Sequence, residues 1–142
     1  MQQECDFFKE STTLVYSTIK AALGNRLIMQ DDIESITLTI YEQDSPLSVG
    51  SPVPFYDKRA IDKMQCVWDI LQNGELEDKY GIRTIQYNFA YIIAHDKMIV
   101  NGETEKIYPF PNIGKCYKVL FEFVSASADF PDFAAQWIGY AV

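Results

Sequence analysis

The segment from Ile33 to Gln43 constrains the fold most, because its side chains alternate with a period of two. One side of an extended chain carries Ile36, Leu38 and Ile40, whereas the intervening positions hold serine, threonine and tyrosine. β-branched and aromatic residues on both sides suit a pleated, half-buried surface. We therefore predict a strand over this whole segment.

Two later segments repeat this alternation, from Ile85 to Ile93 and from Lys115 to Ser125. Three such segments can pair with one another, so the chain is predicted to be mainly β. The side chains on the apolar sides of the three strands make up the predicted core: Ile36, Leu38, Ile40, Tyr87, Phe89, Tyr91, Val119, Phe121 and Phe123.

The dipeptide Asn101-Gly102 lies between the extended runs Lys97 to Val100 and Glu103 to Ile107. Both central residues of a type I′ turn need a positive φ, which asparagine and glycine adopt most readily. The sequence therefore predicts a β-hairpin at this position.

Two segments are ambiguous between helix and strand. In 10–23 the apolar residues follow helical spacing, but the β-branched and aromatic composition favours a strand. In 57–73 one interpretation is a helix that ends at Asn73-Gly74, and the other is a short strand from Met64 to Leu71 that carries Trp68 into a sandwich core. Periodicity does not decide between these two.

The last segment, 128–142, carries four aromatic residues at intervals of three and four positions: Phe130, Phe133, Trp137 and Tyr140. Pro131 and Asp132 suit the first turn of a helix, so a short aromatic-faced helix is predicted over 131–139. Either this segment packs on its own domain, or it is an arm that docks into a neighbouring subunit. We divide the chain accordingly into a β domain (1–127) and a C-terminal arm or terminal helix (128–142), with the four aromatics as candidate interface residues.

Length and charge limit the classes of function. A chain of 142 residues suits one domain with a single core. The formal charge of −8 repels phosphate backbones, so no nucleic-acid partner is expected. No apolar stretch is long enough to predict a membrane span, and the N-terminus lacks the pattern of a secretory signal. We expect a soluble protein kept in a cytosol, where the odd number of cysteines (Cys5, Cys66, Cys116) stays reduced.

Catalytic motifs are absent from the sequence. His95 is the sole histidine and has no nucleophile motif near it, and the glycines form no nucleotide-binding fingerprint. The best enzyme hypothesis is a metal-dependent hydrolase that uses Asp69 and Glu77. A minority hypothesis is a sugar-binding module, in which exposed tyrosines stack on carbohydrate (Tyr56, Tyr80, Tyr108). We predict a protein that is not an enzyme, with no catalytic residue, metal or cofactor.

The segment from Phe8 to Gln43 contains, in order, Phe-Lys-Glu-Ser-Thr-Thr-Leu-Val-Tyr, Gly-Asn and Ile-Glu-Ser-Ile-Thr-Leu-Thr-Ile-Tyr. This order resembles the first two strands of small immunoglobulin-like proteins of tailed-bacteriophage particles. Tyr87 to Ile93, a hairpin and then Gly114 to Phe123 resemble the paired strands that close the sandwich. Between Ser45 and Gly81 the chain departs from the pattern.

The resemblance implies an immunoglobulin-like antiparallel β-sandwich and a structural role in the virion. Such a subunit would be a capsid decoration or cement protein, or a part of the neck, tail or baseplate. It would be made in the bacterial cytoplasm and would act by multivalent contacts with other virion proteins and with copies of itself.

Overall fold

The structure, a computed structural model, describes residues 2–22, 24–78 and 80–142, and these residues form a mainly β fold. Two short 3₁₀ helices cover Gln30–Asp32 and Lys63–Gln65. The strands, in chain order, are β1 (Gln2–Phe7), β2 (Thr13–Ser17), β3 (Ile33–Gln43), β4 (Ser51–Pro52), β5 (Arg59–Ile61), β6 (Val67–Asp78), β7 (Gly81–Ile93), β8 (Asp96–Val100), β9 (Glu103–Ile107), β10 (Cys116–Ser125) and β11 (Phe133–Ala141).

The strands are arranged in two main sheets and a separate hairpin. The larger sheet has the order β1-β11-β10-β3, and both β4 and β5 pair with the far side of β3. In this sheet β1 runs parallel to β11, whereas the other neighbours are antiparallel. The smaller sheet has the order β2-β7-β6, and β8 pairs with β9. The two sheets pack face to face as a β-sandwich.

An aromatic cluster joins the two sheets. Phe89 of the smaller sheet is fully buried, and its ring centroid lies 5.0 Å from that of Phe121 and 5.3 Å from that of Phe123. Trp137 of the larger sheet also stacks on Phe89, with a centroid distance of 6.1 Å. Aromatic side chains bury large apolar areas and gain further from edge-to-face packing, so this cluster is the centre of the core.

Most of the strand predictions are confirmed. β3 has the predicted bounds, and β2, β7 and β10 lie within or over their predicted segments. The hairpin of β8 and β9 turns at Asn101 and Gly102, whose φ angles are 52° and 82°. The predicted core residues are buried, with the exception of Tyr87 and Tyr91, which are half-buried.

The helix over 57–73 is wrong. This segment forms β5, a 3₁₀ turn and the first part of β6, and β6 pairs with β7. The apolar residues have helical spacing, but the segment is a strand because pairing with another strand overrides local periodicity. The alternative interpretation, a strand, is confirmed, but Trp68 does not enter the core: it is half-buried and packs edge-on against Tyr87 at 5.5 Å.

The helix over 131–139 is also wrong, because this segment is β11. Side chains of β11 point alternately to the core and to the outside: Ala135, Trp137 and Ala141 are buried, whereas Ala134 and Tyr140 are exposed. Small residues at several positions hid this period of two and left the aromatic spacing as the stronger signal. β11 pairs with β10 on one side and β1 on the other.

Candidate functional site

The four candidate interface residues do not form one exposed surface. Trp137 is 2% exposed and belongs to the core. Phe133 stacks on Phe123 with a centroid distance of 4.4 Å, and Phe130 packs edge-on against Phe133 at 6.0 Å. Both are partly buried, whereas Tyr140 is 49% exposed. Of the four, Tyr140 therefore offers the most surface to a partner.

The two carboxylates of the hydrolase hypothesis do not come together. Asp69 and Glu77 lie on the same strand, β6, and the five steps from Gln72 to Glu77 alone span roughly 17 Å in an extended chain. Asp69 accepts a hydrogen bond from the backbone N–H of Gln30 at 2.8 Å, so it holds a 3₁₀ turn in place. The described residues contain no group of three histidine, cysteine or acidic side chains that could hold a metal ion.

His95 lies beside an aromatic ring, and the Cys66 side chain is buried in the fold. The ring of His95 lies 6.1 Å from that of Tyr108. Its neighbour Asp96 binds the guanidinium of Arg59 at 2.6 Å, a contact that lowers the pKa of the Asp96 carboxyl. Burial raises the pKa of the Cys66 thiol to about 12, which leaves almost no thiolate at neutral pH. The side chain of Cys5 lies outside the described part.

The three tyrosines of the sugar-binding hypothesis are dispersed. Tyr56 is 3% exposed, and its hydroxyl lies 3.3 Å from the carbonyl oxygen of Ile107. Tyr80 is exposed beside the turn between β6 and β7, whereas Tyr108 is half-buried after β9 with the Lys9 ammonium 5.1 Å above its ring. They therefore do not form a common stacking platform.

The outer face of the smaller sheet carries apolar side chains at positions where an antiparallel sheet usually carries polar ones. Leu14 and Ile92 are directly opposite each other on β2 and β7, and are 43% and 63% exposed. The neighbouring pair, Tyr16 and Ala90, is apolar as well. At these positions the smaller sheet is thus apolar both on its outer face and on the face that packs on the core.

An open groove of about 510 Å³, which we call the outer groove, lies on this face; its walls include Leu14, Trp68, Ala90 and Ile92. Trp68 follows the buried Val67 on β6, so the alternation of side chains along the strand turns it to the groove side of the sheet. The sequence alone did not predict this site, since Leu14 and Trp68 become neighbours only when β2 and β6 pair with β7. The one signal was the apolar pair Ala90 and Ile92 on the non-core side of β7.

A second apolar surface lies in the loop between β3 and β4. Leu47 and Val49 are 98% and 100% exposed. The loop is tied to β3 because the Gln43 side chain donates a hydrogen bond to the Ser48 carbonyl at 2.8 Å. Gly50 packs so closely on β3 that an added Cβ would lie 2.8 Å from the Glu42 carbonyl oxygen. The two exposed side chains are therefore presented by an anchored loop.

Two pairs of strands extend away from the sandwich. β2 pairs with β7 only from Phe89 to Ile93, so the earlier part of β7 and the facing part of β6 form a two-stranded ribbon that ends at the turn before Gly81. The hairpin of β8 and β9 joins neither sheet. Both offer faces that the core does not cover.

The described part of the chain contains no helix long and apolar enough to cross a membrane. No protein-family model matches this chain, and no curated protein or solved structure is significantly similar to it.

Proposed function

We propose that the protein is a non-enzymatic, immunoglobulin-like structural subunit of a tailed-bacteriophage particle, and that it acts by multivalent contacts with other virion proteins and with copies of itself. The phage assignment rests on the sequence resemblance. The structure contributes the strand order and the apolar surfaces, which support the immunoglobulin-like and the contact-forming parts of the proposal.

The strand order supports the immunoglobulin-like assignment. In immunoglobulin domains the second, fifth and fourth strands (B, E and D) form one sheet, and the third, sixth and last (C, F and G) form the other. Here β2-β7-β6 corresponds to B-E-D and β3-β10-β11 to C-F-G, if β8 and β9 are taken as an insertion. The short strands β4 and β5 lie beside β3, as the extra strands of variable domains lie beside strand C.

Tyr117 provides a second argument. It lies at the start of β10, is fully buried, and its hydroxyl accepts a hydrogen bond from the backbone N–H of Asn112 at 2.8 Å. A tyrosine at the start of strand F that bonds back to the preceding loop is a feature of immunoglobulin-like sandwiches. The hydroxyl also bonds the Glu42 carboxylate at 2.8 Å, and burial, followed by this bond, raises the tyrosine pKa. β2 holds no cysteine, so the inter-sheet disulfide of antibody domains has no counterpart.

The outer groove is the observation that carries the contact-forming role. An exposed apolar face rimmed by polar residues is typical of protein–protein contact sites. The apolar loop of Leu47 and Val49 lies on a strand connection of the other sheet, so one copy can contact more than one neighbour. Multivalent binding of this kind turns weak single contacts into stable assembly.

The test is incorporation into particles made by the genome that encodes this chain. Ile92→Lys places a charge in the outer groove, whereas Ile113→Lys is a matched control, since Ile113 is 65% exposed in a loop outside the groove. We expect the control to enter purified particles and Ile92→Lys to be lost from them while both purified variants melt like the wild type. Absence of the wild-type chain from purified particles would refute the proposal.

A carbohydrate- or host-surface-binding module is the second candidate. It is favoured by Trp68, whose half-buried indole packs edge-on against Tyr87 in the outer groove, because aromatic faces stack on sugars. Titration with oligosaccharides distinguishes the two: quenching of Trp68 fluorescence, abolished by Trp68→Phe, would favour sugar binding. The core residue Trp137 is shielded and supplies an internal reference.

A further inference from the structure

The ribbon of β6 and β7 has one acidic face. Glu75 is directly opposite Thr84, and Glu77 is opposite Ile82. Opposite residues of an antiparallel pair lie on the same face, so the two carboxylates and the Ile82 side chain share one surface. All four side chains are exposed, and Ile82 is 68% exposed. We call this surface the acidic face.

The hairpin of β8 and β9 has a basic face of similar design. Lys97 and Lys106 are directly opposite each other, and Ile99 and Thr104 form the next pair on the same face. These four side chains are exposed, and Ile99 is 75% exposed. Two like charges opposite each other destabilise a strand pair. An acidic partner would remove this repulsion.

Among the described residues, none neutralises either face. None of Glu75, Glu77, Lys97 and Lys106 makes an ion pair with another described residue. The two faces also lie near opposite ends of β7: the ribbon turns before Gly81, whereas β8 begins three residues after Ile93. Thirteen residues of strand span roughly 40 Å, so one molecule cannot bring its two faces together.

We infer that the acidic face of one copy binds the basic face of the next copy, in a head-to-tail contact. The two faces match in chemistry, because each presents a pair of like charges, an exposed isoleucine and a threonine. A contact between two different surfaces is heterologous, so repetition closes a ring or extends a filament. The inference deepens the proposed function and rests on its statement that the chain contacts copies of itself.

Charge exchange tests this contact in the full-length chain by sedimentation velocity. The first variant carries Lys97→Glu and Lys106→Glu, and the second carries Glu75→Lys and Glu77→Lys. Each variant alone has two faces of the same sign, so we expect its self-association to fall by about tenfold or more, the effect of opposing like charges across an interface. In an equimolar mixture each face meets an opposite one, and association returns.

Two matched controls carry the same changes of net charge at other exposed positions. Lys20→Glu with Lys115→Glu controls the first variant, and Glu10→Lys with Glu34→Lys controls the second. Both controls should associate like the wild type. Association of the wild type should also weaken when salt is raised from about 50 mM to about 500 mM, since exposed charges are then screened.

The inference is overturned if the wild type stays monomeric at low salt, if either charge-exchange variant associates like the wild type, or if their mixture remains monomeric. These failures differ from failure of the proposed function. A chain that enters particles through the outer groove but does not self-associate would retain the structural role and lose only the head-to-tail contact. A chain absent from particles would lose the structural role.

Discussion

Replacement of Trp137 by alanine tests whether the C-terminal strand belongs to the core. The indole is 2% exposed and lies against Phe89 at 6.1 Å and Phe121 at 5.7 Å. If the final segment were an arm for a partner, truncation of this side chain would leave the isolated protein stable. In the structure the same truncation opens a cavity between the two sheets.

The expected magnitude follows from this burial. Truncation of a buried tryptophan to alanine costs about 3–5 kcal/mol. For 142 residues the entropy of unfolding is about 0.3 kcal/mol/K, so a loss of about 4 kcal/mol lowers Tm by about 13 °C. Since domains of this size are stable by about 5–15 kcal/mol, the variant should still fold, with about 1–11 kcal/mol of stability left.

The matched control is Tyr140→Ala, three positions further along β11 and 49% exposed in the wild type. We expect it to change the free energy of unfolding by less than about 1 kcal/mol. Urea titrations followed by far-ultraviolet circular dichroism compare the two variants. Similar small losses in both would refute the assignment of Trp137 to the core.

Three further experiments, two substitutions and one labelling reaction, test other parts of the structure. The buried Asn88 amide accepts a hydrogen bond from the Ile19 N–H at 2.6 Å and donates to two carbonyl oxygens, so Asn88→Ala should lower the unfolding free energy by about 2–4 kcal/mol in urea titrations; a change below about 0.5 kcal/mol would contradict this. A hydrogen bond from Arg26 at 2.6 Å lowers the pKa of Asp32, so its contribution is complete above the unfolded pKa of about 3.9 and is lost as the pH falls through the folded pKa. The stability difference between the wild type and Asp32→Asn should shrink below about pH 4 in melts at several pH values, and a constant difference would refute the pairing. With its pKa raised to about 12, Cys66 should react with a thiol reagent at neutral pH only after denaturation, and rapid labelling of Cys66 in the folded protein, located by peptide mass spectrometry, would contradict its burial.

The sequence predicted the parts of the fold in which local pattern and long-range pairing agree. β3 alternates cleanly because Ile36, Leu38 and Ile40 face the core, and Asn101-Gly102 has the conformation that its turn requires. In 57–73 the sequence left helix and strand open, and in 131–139 it predicted a helix; in both segments pairing with a neighbouring strand, β7 or β10, decided the structure.

The candidate site could not be predicted because its residues come from different strands. Leu14 and Ile92 are far apart in sequence and meet only through the register of β2 with β7. The aromatic spacing of Phe133 and Trp137 left open whether the segment packs on its own domain or docks on a neighbour, and the strand turns both side chains towards the sandwich. Apolar character marks core and interface alike, so only the fold separates the two uses.

Electron cryomicroscopy of purified particles tests the structural role most directly. We expect density into which the two-sheet sandwich fits, repeated around a symmetry axis, with an apolar neighbour in the outer groove. The ribbon of β6 and β7 should then lie against the β8–β9 hairpin of the next copy. A reconstruction that accounts for all particle density without this sandwich would refute the structural role in the virion.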